Sequence, residues 1–177
     1  MTLDVVKAFV VVFLAAVLQA SVFSGVTVAG GTPDLVLVVL IAIALLRGSI
    51  FGAVAGFGAG LVLDTAYLST LGVTSLLLTT AGFWIGRYGE TTGRDRTHAP
   101  FLAVAVVSVL YAVGALLLRF LLDEPAPAHA VLVETLFPTV ALNLIVTWPV
   151  YALTSRLLRP QPASPTRSRP EEIRLLG

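Results

Sequence analysis

Two histidines, His98 and His129, are the only imidazoles in this 177-residue chain, and they are where a search for acid–base or metal chemistry begins. A general base or a catalytic metal needs ligands or carboxylates converging on one point. Both histidines fall in polar breaks between apolar runs, and the order of those runs puts them on opposite sides of a membrane. The chain has no cysteine, which removes thiol nucleophiles, thiolate metal sites and disulfides. Serines are plentiful, yet no Gly-x-Ser-x-Gly elbow or Ser-x-x-Lys pair occurs. No glycine loop precedes a Lys-Ser or Lys-Thr pair to cradle phosphate. The sequence therefore offers no catalytic residue, no metal site and no cofactor, and no nucleic-acid partner is expected. What it does offer is a set of placed charges, Asp34, Arg47, Asp64 and Arg119, and a run of glycines, Gly48, Gly52, Gly56 and Gly60.

The surroundings of those residues are apolar. Hydrophobic residues make up 57% of the chain and charged residues 12%, with a mean hydropathy of +0.96, against roughly half apolar and a quarter charged in a soluble domain. The fold class this implies is an all-α membrane protein, a compact bundle of about six transmembrane helices. The apolar runs are Val5 to Phe23, Leu35 to Leu46, Ile50 to Leu63, Val73 to Ile85, Phe101 to Leu122 and Val131 to Leu158. The first, fifth and sixth suffice for a bilayer core of about 30 Å at 1.5 Å per residue. The second, third and fourth are short, so they must borrow flanking polar residues, thin the bilayer, or be shielded by longer helices. The alternative for the second and third is a re-entrant hairpin. Lys7 ahead of Ala8 to Leu18 looks like a secretion signal, but a cut after Ala20 would put Leu18 at a recognition position, so a retained helix is expected.

Charge placement favours six spans, because Lys and Arg gather in cytoplasmic loops. With both termini inside, Lys7, Arg47, Arg87, Arg94, Arg96, Arg156, Arg159, Arg167, Arg169 and Arg174 are cytoplasmic, and Arg119 alone is outside. A re-entrant hairpin would move Arg47 across. Trp84 with Tyr88, and Trp148 with Tyr151, then fall at the inner interface, where amphipathic rings are favoured. Residues 1–158 form the membrane domain, and residues 159–177 form a disordered, basic, proline-rich cytoplasmic tail whose arginines are attracted to anionic lipid.

The richest segment runs from Gly30 to Gly86. Thr32 is placed to cap the second helix, Pro33 to occupy its first turn and Asp34 to meet its positive end. At the other end Arg47 complements the negative end, and Gly48 suits a turn. Glycines at strict four-residue spacing each cost about 1 kcal/mol in helix propensity. Close approach of another helix backbone is the usual compensation in lipid, and a helix of the same chain is the expected neighbour. Asp64 closes the third helix, where a carboxylate opposes the dipole, so an ionic partner is expected. Arg119 is the sole outer cation, with Asp123 competing for it. Gln19, Asn143 and Thr147 suit interhelical hydrogen bonds, and Pro138 and Pro149 should kink the sixth helix.

Pro33-Asp34, an apolar helix, Arg47-Gly48, the helix bearing Gly52, Gly56 and Gly60, then Asp64 and Leu71-Gly72, together resemble the bacterial rod shape-determining MreD family. The resemblance implies a non-enzymatic subunit of the cell-elongation and cell-wall machinery in the bacterial inner membrane. It further implies binding to MreC, proximity to MreB, and support of RodA with its class B penicillin-binding protein. The rival is the substrate-binding subunit of an energy-coupling factor vitamin transporter. Such a subunit also has six helices, Ala16 and Ala20 mimic its docking face, and it would need a polar, aromatic pocket at the outer surface. A simple channel is disfavoured because no span carries a wide polar stripe.

The topology is testable by cysteine accessibility in cells. A cysteine between Arg87 and Ala99 should be labelled only from the cytoplasm, and one between Asp123 and Ala128 only from outside. Labelling of both from one side rules out six spans.

Overall fold

The computed structural model describes residues 2–92, 98–123 and 134–158, so His129 and the tail lie outside the described residues. Six helices account for nearly all of them: α1 (Thr2–Ser21), α2 (Leu35–Arg47), α3 (Ser49–Ala66), α4 (Val73–Thr92), α5 (Ala99–Leu121) and α6 (Leu136–Leu157). Among the described residues there is no strand, only one isolated bridge between Val28 and Gly31 in the α1–α2 connection. Three helices, α3, α5 and α6, are both long and apolar enough to cross a membrane.

α2 is the axis of the bundle. It is apolar on every side, and from Val36 to Arg47 every residue is buried, as expected of a helix enclosed all round. It touches each of the other five helices, which follow one another around it in the order α1, α3, α4, α5, α6. Of the three ways a short span could be accommodated, shielding applies to α2. Its 13 residues reach only about 20 Å, and its neighbours separate it from the surroundings. The third and fourth helices are longer than their apolar runs suggested. α3 has 18 residues and α4 has 20, because α4 continues past Ile85 through Arg87, Tyr88 and Glu90. The polar end of α4 is held by contacts described below.

Polarity is inverted relative to a soluble bundle. α1 turns Ala8, Val12, Ala15 and Ala16 inward and leaves Phe9, Phe13 and Leu14 exposed. The buried residues of α6 are Asn143, Thr147 and Thr154, on one face, while Phe137, Ile145 and Trp148 are more than 70% exposed. Apolar side chains facing outward at this density are stable against hydrocarbon and not against water. Pro138 is the third residue of α6. Pro149 lies in the helix interior, where it removes an N–H from the ladder.

The closest pairing is α3 against α4, and the glycines set it. A Cβ placed on Gly52 would strike the Gly82 carbonyl, one on Gly56 the Leu78 carbonyl, and one on Gly60 the backbone of Ser75. The converse holds for Gly82 against Gly52 and for Gly86 against Ser49. The pairs step in opposite directions along the two helices, which is an antiparallel backbone-to-backbone seam with room for Cα–H···O contacts. The neighbour of the stripe is therefore in the same chain.

Gly56→Leu removes the room for the α4 backbone at the middle of this seam. It should lower stability by about 3 kcal/mol, as overpacking does. The check is thermal unfolding in mild detergent beside the exposed control Ile50→Leu, which should leave the midpoint unchanged. Equal midpoints for the two variants would mean that α3 and α4 do not approach as closely as described.

Candidate functional site

A membrane bundle whose helix ends are enclosed must satisfy the first N–H groups of each helix from within. At α2 the connection from α1 does this with side chains from two other helices. Asp34 is the N-cap, its Oδ1 accepting from the Leu37 N–H at 3.0 Å. Gln19 of α1 accepts from the Leu35 N–H at 2.7 Å and donates to the Pro33 carbonyl at 3.1 Å. Asn143 of α6 accepts from the Asp34 N–H at 2.7 Å and donates to Ser108 of α5 at 3.0 Å. Thr32 and Pro33 thus differ from expectation. The helix begins at Leu35, Pro33 lies ahead of it, and the Thr32 N–H is held by Thr139 at 3.3 Å. Asp34 takes the cap because its shorter reach to Leu37 leaves the Thr32 backbone free to meet α6.

Asp64 is completely buried and makes no ion pair with Arg119. It reaches across the short turn and caps the next helix. Its Oδ2 accepts from the Gly72 N–H at 2.8 Å, and its Oδ1 from the Thr74 N–H at 3.2 Å and the Ser69 hydroxyl at 3.3 Å. The expectation of a cation failed because only the dipole of α3 was considered. In an antiparallel pair the end of α3 lies beside the start of α4, so the carboxylate serves the positive end of its neighbour. Glu90 mirrors this at the other end, where its Oε1 accepts from the Ser49 N–H at 2.8 Å and the Ser49 hydroxyl at 3.1 Å. These bonds, with Arg87 at 3.5 Å, hold the Glu90 carboxyl below its usual range. Glu90 was not singled out from the sequence, although an acid at the end of each of two consecutive helices is a visible signal.

Arg47 is buried at the end of α2, its guanidinium 5.4 Å from the centre of the Phe51 ring. Gly48, with φ +98°, joins α2 to α3 as a single residue and closes α2 through its N–H to the Ala44 carbonyl at 2.8 Å. His98 stands exposed ahead of α5. Among the described residues no group of three or more His, Asp and Glu is arranged to hold a metal.

A cleft bearing several polar side chains lies at the end of the bundle where α2 and α4 begin. It has two chambers, of about 320 and 420 Å³, and both are lined by Gln19, Thr32, Asp34, Tyr111 and Arg119. Burial pushes the Asp34 carboxyl above its usual range, against the pull of the Leu37 N–H. Tyr67, just past α3, has its phenol raised by burial and by Asp34. Sequence reasoning named Asp34, Arg119 and Gln19 singly. It did not find Tyr111, which lies within an apolar run and joins them only through the fold.

An all-helical bundle with inverted polarity, internally capped helix ends and a backbone-to-backbone glycine seam defines an integral membrane protein. The model of the rod shape-determining protein MreD family matches residues 1–160, and the chain belongs to that family. Its location is accordingly the bacterial inner membrane, and its sphere is cell shape. No curated protein and no solved structure matches the chain.

Asp64→Ala should strand the Gly72 and Thr74 N–H groups and cost about 2 kcal/mol, whereas Asp64→Asn, which keeps an acceptor, should cost about half as much. Chemical unfolding in detergent distinguishes them. Equal losses would point to charge, and hence to an unseen cation, as what Asp64 supplies.

Proposed function

We propose that this protein is a non-enzymatic, six-span subunit of the cell-elongation machinery that works by holding other membrane proteins in place. The family match over residues 1–160 carries this reading. Both termini are cytoplasmic, and residues 159–177 form a basic tail at the membrane surface. MreC is the direct partner, MreB lies near the cytoplasmic face, and RodA with its class B penicillin-binding protein is supported through the same assembly. Two features support a scaffold. The core is locked by α2 and the α3–α4 seam, so the fold does not depend on a partner for its closest packing. The outward faces of α1, α5 and α6 are broad and apolar, which leaves surface for helices of other membrane proteins.

Replacing His98 and His129 together with alanine should leave rod shape intact in cells depleted of the native protein, and the tagged variant should still co-purify MreC in mild detergent. Spherical cells at normal protein abundance would show a chemical role and overturn the scaffold reading. Normal shape without MreC in the eluate would overturn the choice of partner.

A further inference from the structure

The polar cleft does not end at the bundle's surface. Its larger chamber meets, at Leu77 and Tyr111, a second cavity of about 470 Å³ that lies between α4 and α5. That groove is walled by Ala81, Trp84, Ile85, Val106 and Leu110, and it is almost wholly apolar. It follows α4 from Leu77 to Tyr88, about 16 Å at 1.5 Å per residue. An apolar groove continuing from a polar cleft matches an acyl chain continuing from a polar head.

The head end carries two opposite charges that do not neutralise each other. Asp34 and Arg119 line both chambers, yet no ion pair joins them among the described residues. Asp34 Oδ1 is committed to the Leu37 N–H, while Oδ2 accepts no hydrogen bond among the described residues. Arg119 likewise has no hydrogen-bond or ion-pair partner among them. Burial makes an uncompensated charge at Asp34 costly, so a cation beside it is stabilising, while Arg119 stands exposed at the mouth, open to an anion. A ligand bearing an anion and an ammonium on one short head would answer both. A water-soluble zwitterion would leave the apolar groove unused.

We propose that the cleft and groove together bind one phospholipid with a phosphoethanolamine head, its phosphate at Arg119, its ammonium at Asp34 and one acyl chain between α4 and α5. Arg119 serves the phosphate through charge-assisted hydrogen bonds, and the guanidinium suits a phosphate edge. Tyr111 stands where head gives way to tail.

The test is native mass spectrometry of the full chain, stripped of lipid in detergent and titrated with phosphatidylethanolamine or phosphatidylglycerol. One phosphatidylethanolamine should be retained, with phosphatidylglycerol weaker by about tenfold because it lacks the ammonium. Arg119→Gln removes an exposed charge that has no hydrogen-bond or ion-pair partner among the described residues, and Thr80→Trp fills the groove from its exposed rim. Each should weaken retention of phosphatidylethanolamine by about tenfold while leaving the unfolding midpoint of the stripped protein unchanged. Asp34→Asn, which keeps a cap acceptor, should erase the preference between the two lipids. Equal retention by wild type, Arg119→Gln and Thr80→Trp would mean annular lipid only and overturn the proposal. Full displacement of the lipid by free phosphoethanolamine would make a soluble zwitterion the ligand and overturn it as well.

Discussion

Backbone groups at the end of a helix have no water to turn to inside a membrane, and this constraint organises the structure. The starts of α2, α3 and α4 are closed by side chains, and those side chains come mostly from other helices. Gln19 of α1 and Asn143 of α6 close α2 together with Asp34, Asp64 of α3 closes α4, and Glu90 of α4 closes α3. Each cap therefore acts as a tertiary contact as well as a local one. The two acids of the α3–α4 pair show why the exchange is favourable. Each sits at the negative end of its own helix, an unfavourable place, and beside the positive end of its neighbour, a favourable one. Separating the helices would leave both acids opposing a dipole and both helix starts unsatisfied.

Capping by exchange requires the helices to be close and in register, and the glycines supply both. Side chains larger than hydrogen at Gly52, Gly56 or Gly82 would push the two backbones apart, by about an ångström for a single methyl group and by more for longer side chains. The Asp64 and Glu90 carboxylates would then fall short of Gly72 and Ser49. The helix propensity lost at the glycines is thus compensated twice, by dispersion along the seam and by hydrogen bonds at its two ends. α2 meets this seam at its C-terminal end, where Ala44 lies beside Gly52 and the Leu45 backbone beside Gly89. Enclosed by five helices, it meets them with Val, Leu and Ile, which fill space between elements lying at several angles.

The residues that were legible in the sequence were those whose pattern is local. The glycine spacing announced a close helix contact, and the all-round apolarity of Leu35 to Leu46 announced a helix that something must shield. Gln19 and Asn143 were legible as bonding groups because an amide in an apolar run has no other use. Asp64 was misread because its partner lies in the next helix, and a dipole argument confined to one helix has the wrong sign. Thr32 and Asp34 compete for one cap, and only the position of α6, which draws the Thr32 backbone to Thr139, decides between them. Tyr111 was invisible for a related reason. A tyrosine in a 23-residue apolar helix reads as lipid-facing or core until the fold sets Asp34, Arg119 and Thr74 around it.

The two sides of the bundle are held by different kinds of force, and the cavities follow that difference. On the α3–α4 side backbones touch, so any displacement loses many contacts at once, since packed surfaces tolerate little strain. On the α5–α6 side the inward stripe of α6 is polar, and Asn143 bonded to Ser108 joins the two helices near the cleft. A hydrogen-bonded stripe fixes position through a few directional contacts and leaves space between them. The polar cleft opens where α5 and α6 face α2, and the apolar groove opens where α5 leaves α4. Tyr111 borders all three cavities because it stands on the helix that is common to both loosely filled boundaries. A bundle built in this way keeps one half rigid enough to set register and another open enough to admit a ligand, with the central α2 bonded to both.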